Sequence, residues 1–168
     1  DVPKDKIKRQ CYEEGKKKLL AQGYHEIGMD HFALESDAMY QSFQAGTLHR
    51  NFMGYTASKP QVMIGLGISS ISDSWYSFAQ NEKKLEDYYA RLENNELPIY
   101  RGHILSAEDL LIRRHILNLM CSFQTSWADS DMQFLELAEV LGQLEEMRDD
   151  GLLEIRPHSI RVTEQGKA

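Results

Sequence analysis

Apolar residues return every three or four positions in several stretches of this chain, and each such stretch predicts a helix. Residues 4–22 are rich in lysine and carry Ile7, Cys11, Leu19 and Leu20 on roughly one face, ending at Gly23. Ser36-Asp37 opens a short helix through Ala45 that Gly46 stops. Glu82–Asn94 repeats Leu85, Tyr88, Tyr89 and Leu92 before Asn94-Asn95 and Pro98. Ser106-Ala107-Glu108-Asp109 is a variant capping box, a Ser followed three residues later by an acid, opening a helix with Leu110, Leu111, Ile112, Ile116, Leu119 and Met120. A second box, Ser130-Asp131-Met132-Gln133, starts a helix expected to carry Phe134, Leu137, Ala138, Leu141 and Leu144 inward as far as Gly151.

Other stretches predict strands. Tyr24–Leu34 reads as one strand with Gly28 inside it and Asp30-His31 at its polar end. Leu48–Trp75 is rich in Gly, Ser and Thr around the apolar run Val62–Ile71, which reads as a buried strand with a Ser-rich exposed end. Gly65 and Gly67 point to close backbone approach, to a neighbouring element or to a ligand. Leu152–Thr163 alternates about a turn at Pro157-His158-Ser159 and predicts a hairpin. The early helix–strand–helix rhythm predicts an α/β layer over residues 1–100. The boundary falls near residues 96–105. Residues 101–168 then form a mostly helical, winged-helix-like C-terminal module with a terminal hairpin.

Composition narrows the classes. The 168 residues carry 19 Lys and Arg against 26 Asp and Glu, a formal charge of −7, with 42% hydrophobic residues, enough for one domain or two small ones. Apolar runs such as Val62–Ile68 fall far short of the roughly 18 to 20 residues that cross a bilayer, so no transmembrane helix is expected. No signal peptide is legible, and the reading is a cytoplasmic protein without membrane partners. Cys11 and Cys121, the only cysteines, lie in apolar helical patterns as small buried hydrophobes and hold neither a disulfide framework nor a metal centre. Residues 129–154 hold nine acids and one base, Arg148, where a DNA-reading winged helix needs positive charge, so nucleic acid is not the expected partner. The chain starts at Asp1 inside a charged helical pattern and stops at Ala168 without a closing element, which reads as a fragment.

The polar density between residues 25 and 55 is the candidate site: Asp30, His31, His49, Arg50, Asn51 and Tyr55. Ligands of α/β sheets collect at the carboxyl ends of strands, so a strand ending in Asp-His is placed to meet a small molecule, although a capped strand end reads equally well. A metal on Asp30, His31 and His49 matches no recognised spacing. Gly65-Leu66-Gly67 lacks the third glycine of a dinucleotide fingerprint and the Gly-Lys-Ser/Thr ending of a P-loop. Ile71, apolar among small residues, has the shape to pack on a flat ring such as adenine.

Strings at residues 28–34 (GMDHFAL), 48–56 (LHRNFMGYT), 63–72 (MIGLGISSIS) and 76–81 (YSFAQN) resemble the C-terminal part of the oxygen-independent coproporphyrinogen III oxidases. Tyr88-Tyr89, Tyr100-Arg101-Gly102, Ile112-Arg113-Arg114 and Gly151-Leu152 follow in the same order, so the resemblance covers essentially the whole chain. Related haem chaperones carry a Tyr-Glu-Ile-Ser-Asn-Phe-Ala type string where this chain has Ile27–Ala33, which favours the dehydrogenase branch over a haem-binding, non-catalytic relative.

The resemblance implies a radical S-adenosylmethionine oxidoreductase of haem biosynthesis, with residues 1–100 the end of a partial β/α barrel. In that family a [4Fe–4S] cluster on a Cys-x3-Cys-x2-Cys motif reduces S-adenosylmethionine, and the resulting radical takes a hydrogen from a propionate side chain. Loss of CO2 and one further electron leaves a vinyl group; done twice, this turns coproporphyrinogen III into protoporphyrinogen IX. The cluster ligands are absent from this chain, which implies an inactive fragment that partners with an N-terminal barrel portion and an unidentified electron donor. The resemblance further implies that Ile71 packs on S-adenosylmethionine. Arg50 and His49, then Asn51 and Tyr55, with Asp30 and His31 on the cavity wall, are implied to face a substrate whose four propionates need fixed cations. Catalytic residues and metal ligands are implied to lie elsewhere. The family's final helix is missing after Ala168, predicting a hairpin with a partly uncovered apolar side and a tendency to self-association.

Overall fold

Helix α1 (Asp5–Ala21) leads into a hairpin of β1 (Tyr24–Gly28) and β2 (His31–Leu34). The computed structural model describes residues 4–133 and 135–167, without the side chains of residues 5, 133 and 135–138. The expected helix positions Phe134, Leu137 and Ala138, and the Gln133 end of the second capping box, lie outside the described residues.

The segment read as one strand is therefore two. Met29 and Asp30 both take left-handed backbone conformations, φ 42° and 62°, the geometry of a two-residue hairpin turn that matches strand twist. Asp30 thus sits in a turn and His31 begins β2. Helix α2 (Ala38–Gln44) follows, started by Asp37, whose carboxylate accepts the Met39 N–H at 2.7 Å. A second hairpin pairs β3 (His49–Asn51) with β4 (Gly54–Thr56), placing Arg50 opposite Tyr55. A three-stranded antiparallel sheet, β5 (Ile71–Asp73), β6 (Ser77–Asn81) and β7 (Ile99–Ile104), encloses helix α3 (Leu85–Glu93) in its last connection, and β7 runs across residue 100.

Helix α4 (Ala107–Ser122) begins with the expected box: Ser106 Oγ accepts the Asp109 N–H at 3.1 Å and Asp109 Oδ2 accepts the Ser106 N–H at 2.8 Å. Phe123, left-handed at φ 57°, ends it and turns the chain into β8 (Gln124–Ser126). The continuous helix expected from Ser130 to Gly151 is broken into a 3-10 turn (Asp129–Gln133), α5 (Leu135–Gln143) and α6 (Glu145–Asp149). The acid of the second box is diverted. Asp131 Oδ2 accepts the Ala128 N–H at 3.1 Å and an Arg114 N–H at 2.7 Å, which fixes a tight turn instead of an α-helical start. Strands β9 (Leu153–Arg156) and β10 (Ser159–Val162) form the expected hairpin, and β10 also pairs with β8 in the order β8-β10-β9.

Every strand pairing among the described residues is antiparallel, and the strands form hairpins and small sheets within a mixed α/β chain. Two cores hold it. Leu111, Trp127, Leu153 and Ile160 bury one another, with Leu119, Leu141, Leu144 and Ile155 packed around them; the apolar side of the terminal hairpin is thus covered. Ile27, Ala33, Leu48 and Tyr55 form the other, flanked by Met39, Tyr40, Phe43 and Cys121. Helix α4 touches both. Cys11 is exposed on α1, contrary to its expected burial, and Cys121 is half-buried.

The run Val62–Ile68 departs furthest from expectation. It forms no strand beyond one bridge between Met63 and Asp73, and Leu66 is 84% exposed. Its backbone is satisfied by neighbours: the buried Asn81 amide donates to the Gly65 and Gly67 carbonyls at 3.0 and 2.9 Å, Gly65 N–H donates to Ser72 Oγ, and Gly67 N–H donates to Tyr88 Oη. These amides are spent internally, so the glycines serve close packing and not an anion. A Cβ on Gly65 would lie 2.8 Å from the Ile71 carbonyl oxygen.

Candidate functional site

Period-two alternation along β3 sends neighbouring side chains to opposite sides, and α4 crosses beside the strand. His49 therefore faces one cleft and Arg50 another. The His49 cleft, about 570 Å³, is lined by Leu48, Lys59, Trp75, Arg113 and Cys121 among others. His49 is buried and its ring lies 5.6 Å from that of Trp75, tilted by 33°. Burial pulls its pKa below the usual imidazole value, and the nearby Lys59 and Arg113 charges pull the same way while Asp73 opposes them. A neutral, stacked imidazole results.

Arg113 walls both clefts. It donates to Asp73 Oδ2 at 2.7 Å and to the Trp75 carbonyl at 3.2 Å, with its guanidinium 4.8 Å from the Trp75 ring and 5.0 Å from Phe78. Planar stacking and a fork-shaped donor set are what only arginine supplies. Trp75 itself holds a left-handed conformation, φ 66°, with Nε1 donating to the Pro60 carbonyl, and Lys59 Nζ lies 4.3 Å from its ring centroid.

On the other side, a cleft of about 620 Å³ is lined by Arg50, Phe52, Phe78, Ile112, Ile116 and Met120, among others. Arg50 lies over the Tyr55 ring at 4.7 Å, and Tyr55 is fixed from behind: its hydroxyl donates to the Met120 carbonyl at 2.6 Å and its ring meets His31 edge-on at 5.1 Å. Burial raises the Tyr55 pKa, so this hydroxyl keeps its proton and the bond to Met120. At the rim His103 Nε2 and Asp109 Oδ2 are 3.1 Å apart; the Ser106 N–H and hydroxyl, then His103, hold Asp109 below the usual carboxylate range.

Ile71 is half-buried in an adjoining hollow of about 420 Å³ that shares Phe52, Phe78 and His103 with the Arg50 cleft. The expected residues are thus partly gathered. His31, Arg50 and Tyr55 form one cluster and Ile71 adjoins it across the Phe52–Phe78 pair, whose rings meet edge-on at 5.3 Å. Asn51 also lines the Arg50 cleft and shapes the turn by accepting the Met53 N–H at 2.8 Å, whereas His49 points into the separate cleft and Asp30 is exposed in the first hairpin turn. Asp30, His31 and His49 do not converge, and no group of three His, Cys, Asp or Glu among the described residues is set to hold a metal. Sequence reasoning missed Arg113, Trp75, Phe78 and the His103–Asp109 pair. The arginine interrupting the apolar face of α4 was the available signal, because a charge there has to find a buried acid.

Residues 105–168 match the family model described as the HemN C-terminal domain. The chain is 34% identical to the oxygen-independent coproporphyrinogen III oxidase of Pseudomonas aeruginosa, over 99% of this chain and 37% of that protein. The enzyme of the same name from Thermostichus vulcanus is 36% identical, over 89% of this chain and 48% of that protein. Among solved structures, coproporphyrinogen III oxidase (HemN) from Escherichia coli, described as a radical SAM enzyme, superimposes with a TM-score of 0.88 at 34% identity. That match covers 99% of this chain and 40% of the other. The chain therefore spans less than half the length of these relatives. No helix among the described residues is long and apolar enough to cross a membrane.

Proposed function

We propose that this chain belongs with the oxygen-independent coproporphyrinogen III oxidases and is a part of such an enzyme, one that converts two propionates of coproporphyrinogen III to vinyls in haem biosynthesis. The observation that carries this reading is the 0.88 TM-score at 34% identity, which extends over 99% of the chain and includes both clefts. On this reading residues 1–100 are the C-terminal portion of the radical SAM barrel, and residues 101–168 are the winged-helix-like C-terminal domain.

Two groups implied by the family fit the chain differently. S-adenosylmethionine, the source of the hydrogen-abstracting radical when bound to the cluster, fits the hollow around Ile71, where Phe52 and Phe78 offer apolar contact and Arg101 a cation. The iron–sulfur cluster does not fit, since Cys11 on α1 and Cys121 on α4 are separate thiols and no metal-holding group is present among the described residues. What this chain supplies is a wall: Arg50, braced by Tyr55 and His31, presents a fixed cation to the substrate's carboxylates, while Phe52 and Phe78 exclude water. The chain alone is inactive on this reading.

The test is a chimera in which this chain replaces the matching segment of the Escherichia coli enzyme. Assayed without oxygen, it should form protoporphyrinogen IX from coproporphyrinogen III. A soluble chimera that keeps its cluster absorbance and S-adenosylmethionine binding yet forms no product would overturn the reading, and haem binding without turnover would favour the non-catalytic relative.

A further inference from the structure

We propose that the cleft on the Arg50 face of β3, and not the one on the His49 face, receives the carboxylated macrocycle, with the Arg50 guanidinium gripping one propionate carboxylate. The inference rests on the reading above and deepens it to one subsite.

The charge inventory of the two clefts carries the argument. Only Arg50 and Arg113 are half-buried arginines among the described residues. Arg113 has its carboxylate in Asp73, at 2.7 Å. Arg50 has none among the described residues, and its Nη1 is buried without a hydrogen-bond partner. A guanidinium nitrogen shut off from water without an acceptor is costly, and a bound carboxylate removes that cost. Of the acids on the same cleft, Asp73 is paired with Arg113 and Asp109 is held at the rim by Ser106 and His103, so neither is the partner of Arg50.

Beside this cation stand exposed apolar groups. Phe52 and Ile116 are each 55% exposed and line the cleft with Phe78 and Ile112. A cleft of about 620 Å³ lies in the range that encloses a large part of a ligand of several rings. Apolar walls next to one unneutralised guanidinium select a ligand that is itself apolar with a carboxylate at its edge, which describes a propionate-bearing tetrapyrrole. The opposite cleft offers nothing equivalent: Arg113 and Arg114 are paired with Asp73 and Asp131, Lys59 is exposed over the Trp75 ring, and His49 is stacked and held neutral by its burial.

Fluorescence titration of the chain with coproporphyrin III, the oxidised and stable form of the substrate, and with its tetramethyl ester tests the subsite. The free acid should bind tighter than the ester by about tenfold or more, as loss of a charge-assisted hydrogen bond implies. Arg50→Met should remove that preference, Arg50→Lys should restore part of it, and Lys59→Gln should leave affinity within about twofold. The acid-to-ester comparison needs no variant, so a misfolded Arg50→Met does not blunt the test. Equal affinity for acid and ester, binding lost in Lys59→Gln but not Arg50→Met, or no binding of either probe would each overturn the proposal. An active chimera together with Arg50-independent porphyrin binding would retire this subsite and leave the activity reading standing.

Discussion

The module after Ser106 and the loop between β4 and β5 are both dense in apolar residues, yet their side chains end in opposite environments. In the module, Leu111, Trp127, Leu153 and Ile160 come from a helix, a loop and two strands and are each at least nine-tenths buried. In the loop, Val62, Ile64, Leu66 and Ile68 are 44–84% exposed although they sit at every second position as a half-buried strand would require. The difference lies in partners. Alternation is stabilising only when the inward face meets another element, and among the described residues the loop's one β-bridge is that from Met63 to Asp73. The module closes its own core within this chain; the loop leaves an apolar surface.

Breaking the closed core should give the largest effect. Trp127 is 8% exposed, sits in the four-residue cluster and meets His115 edge-on at 6.3 Å. Trp127→Ala should cost about 3 to 5 kcal/mol in urea unfolding, as other aromatic truncations in cores do. A loss under about 1 kcal/mol, the scale of an ordinary surface change, would show that the module is not organised around this cluster.

Next comes the one point where the open loop is tightly held. Gly65→Ala places a methyl 2.8 Å from the Ile71 carbonyl oxygen and 2.9 Å from its nitrogen, both backbone atoms that do not rotate away. A destabilisation of about 1 to 3 kcal/mol, typical of overpacking, is expected. The accompanying shift of Ile71 should appear as changed amide resonances in β5 and β6. Unchanged resonances and stability would mean the loop does not rest on β5.

These effects mark what the sequence made legible. The helix starting at Ser106, the hairpin turning at 157–159 and the short helix capped by Asp37 were readable because each is set by local chemistry: a side-chain cap, a turn, a period. Splitting of Tyr24–Leu34 was not, since Met29 carries no turn signal and only Asp30 tolerates the left-handed conformation readily. Breakage of the helix after Ser130 depends on Arg114, sixteen residues upstream of the cap, capturing Asp131. At the candidate site, residue types were legible and directions were not: nothing local in His49-Arg50 says which face meets α4. Arg50 could be named a cation for carboxylates, but that no acid among the described residues pairs with it is a fact of three dimensions.

Acid should act on the closed core in a graded way. His115 is buried, with Nδ1 2.8 Å from Thr125 Oγ1, and burial followed by the Arg114 charge lowers its pKa below the ordinary 6.5, Asp131 opposing. The unfolded chain then takes up the proton first as pH falls through 6.5, so stability is intact above that value and declines below it until the folded-state value is passed. His49 contributes with the same sign. The melting temperature should fall between neutral pH and pH 5, with a shallower slope in His115→Asn; an identical slope in that variant would remove His115 from the account.

The smallest effect should come from the open surface itself. Leu66 is 84% exposed and its carbonyl, not its side chain, is what the fold uses, accepting the Ser70 hydroxyl at 2.6 Å. Leu66→Ser keeps that carbonyl and removes only a largely exposed side chain, so the stability of this chain should move by no more than about 0.5 kcal/mol. The same change should lower self-association in sedimentation if the loop's apolar surface is what brings copies together, because burying such a patch between molecules is favourable where burying it within one is not on offer. A large loss of stability with no change in association would reverse the comparison, since it would require Leu66 to be packed inside a single chain and the loop to be as closed as the module.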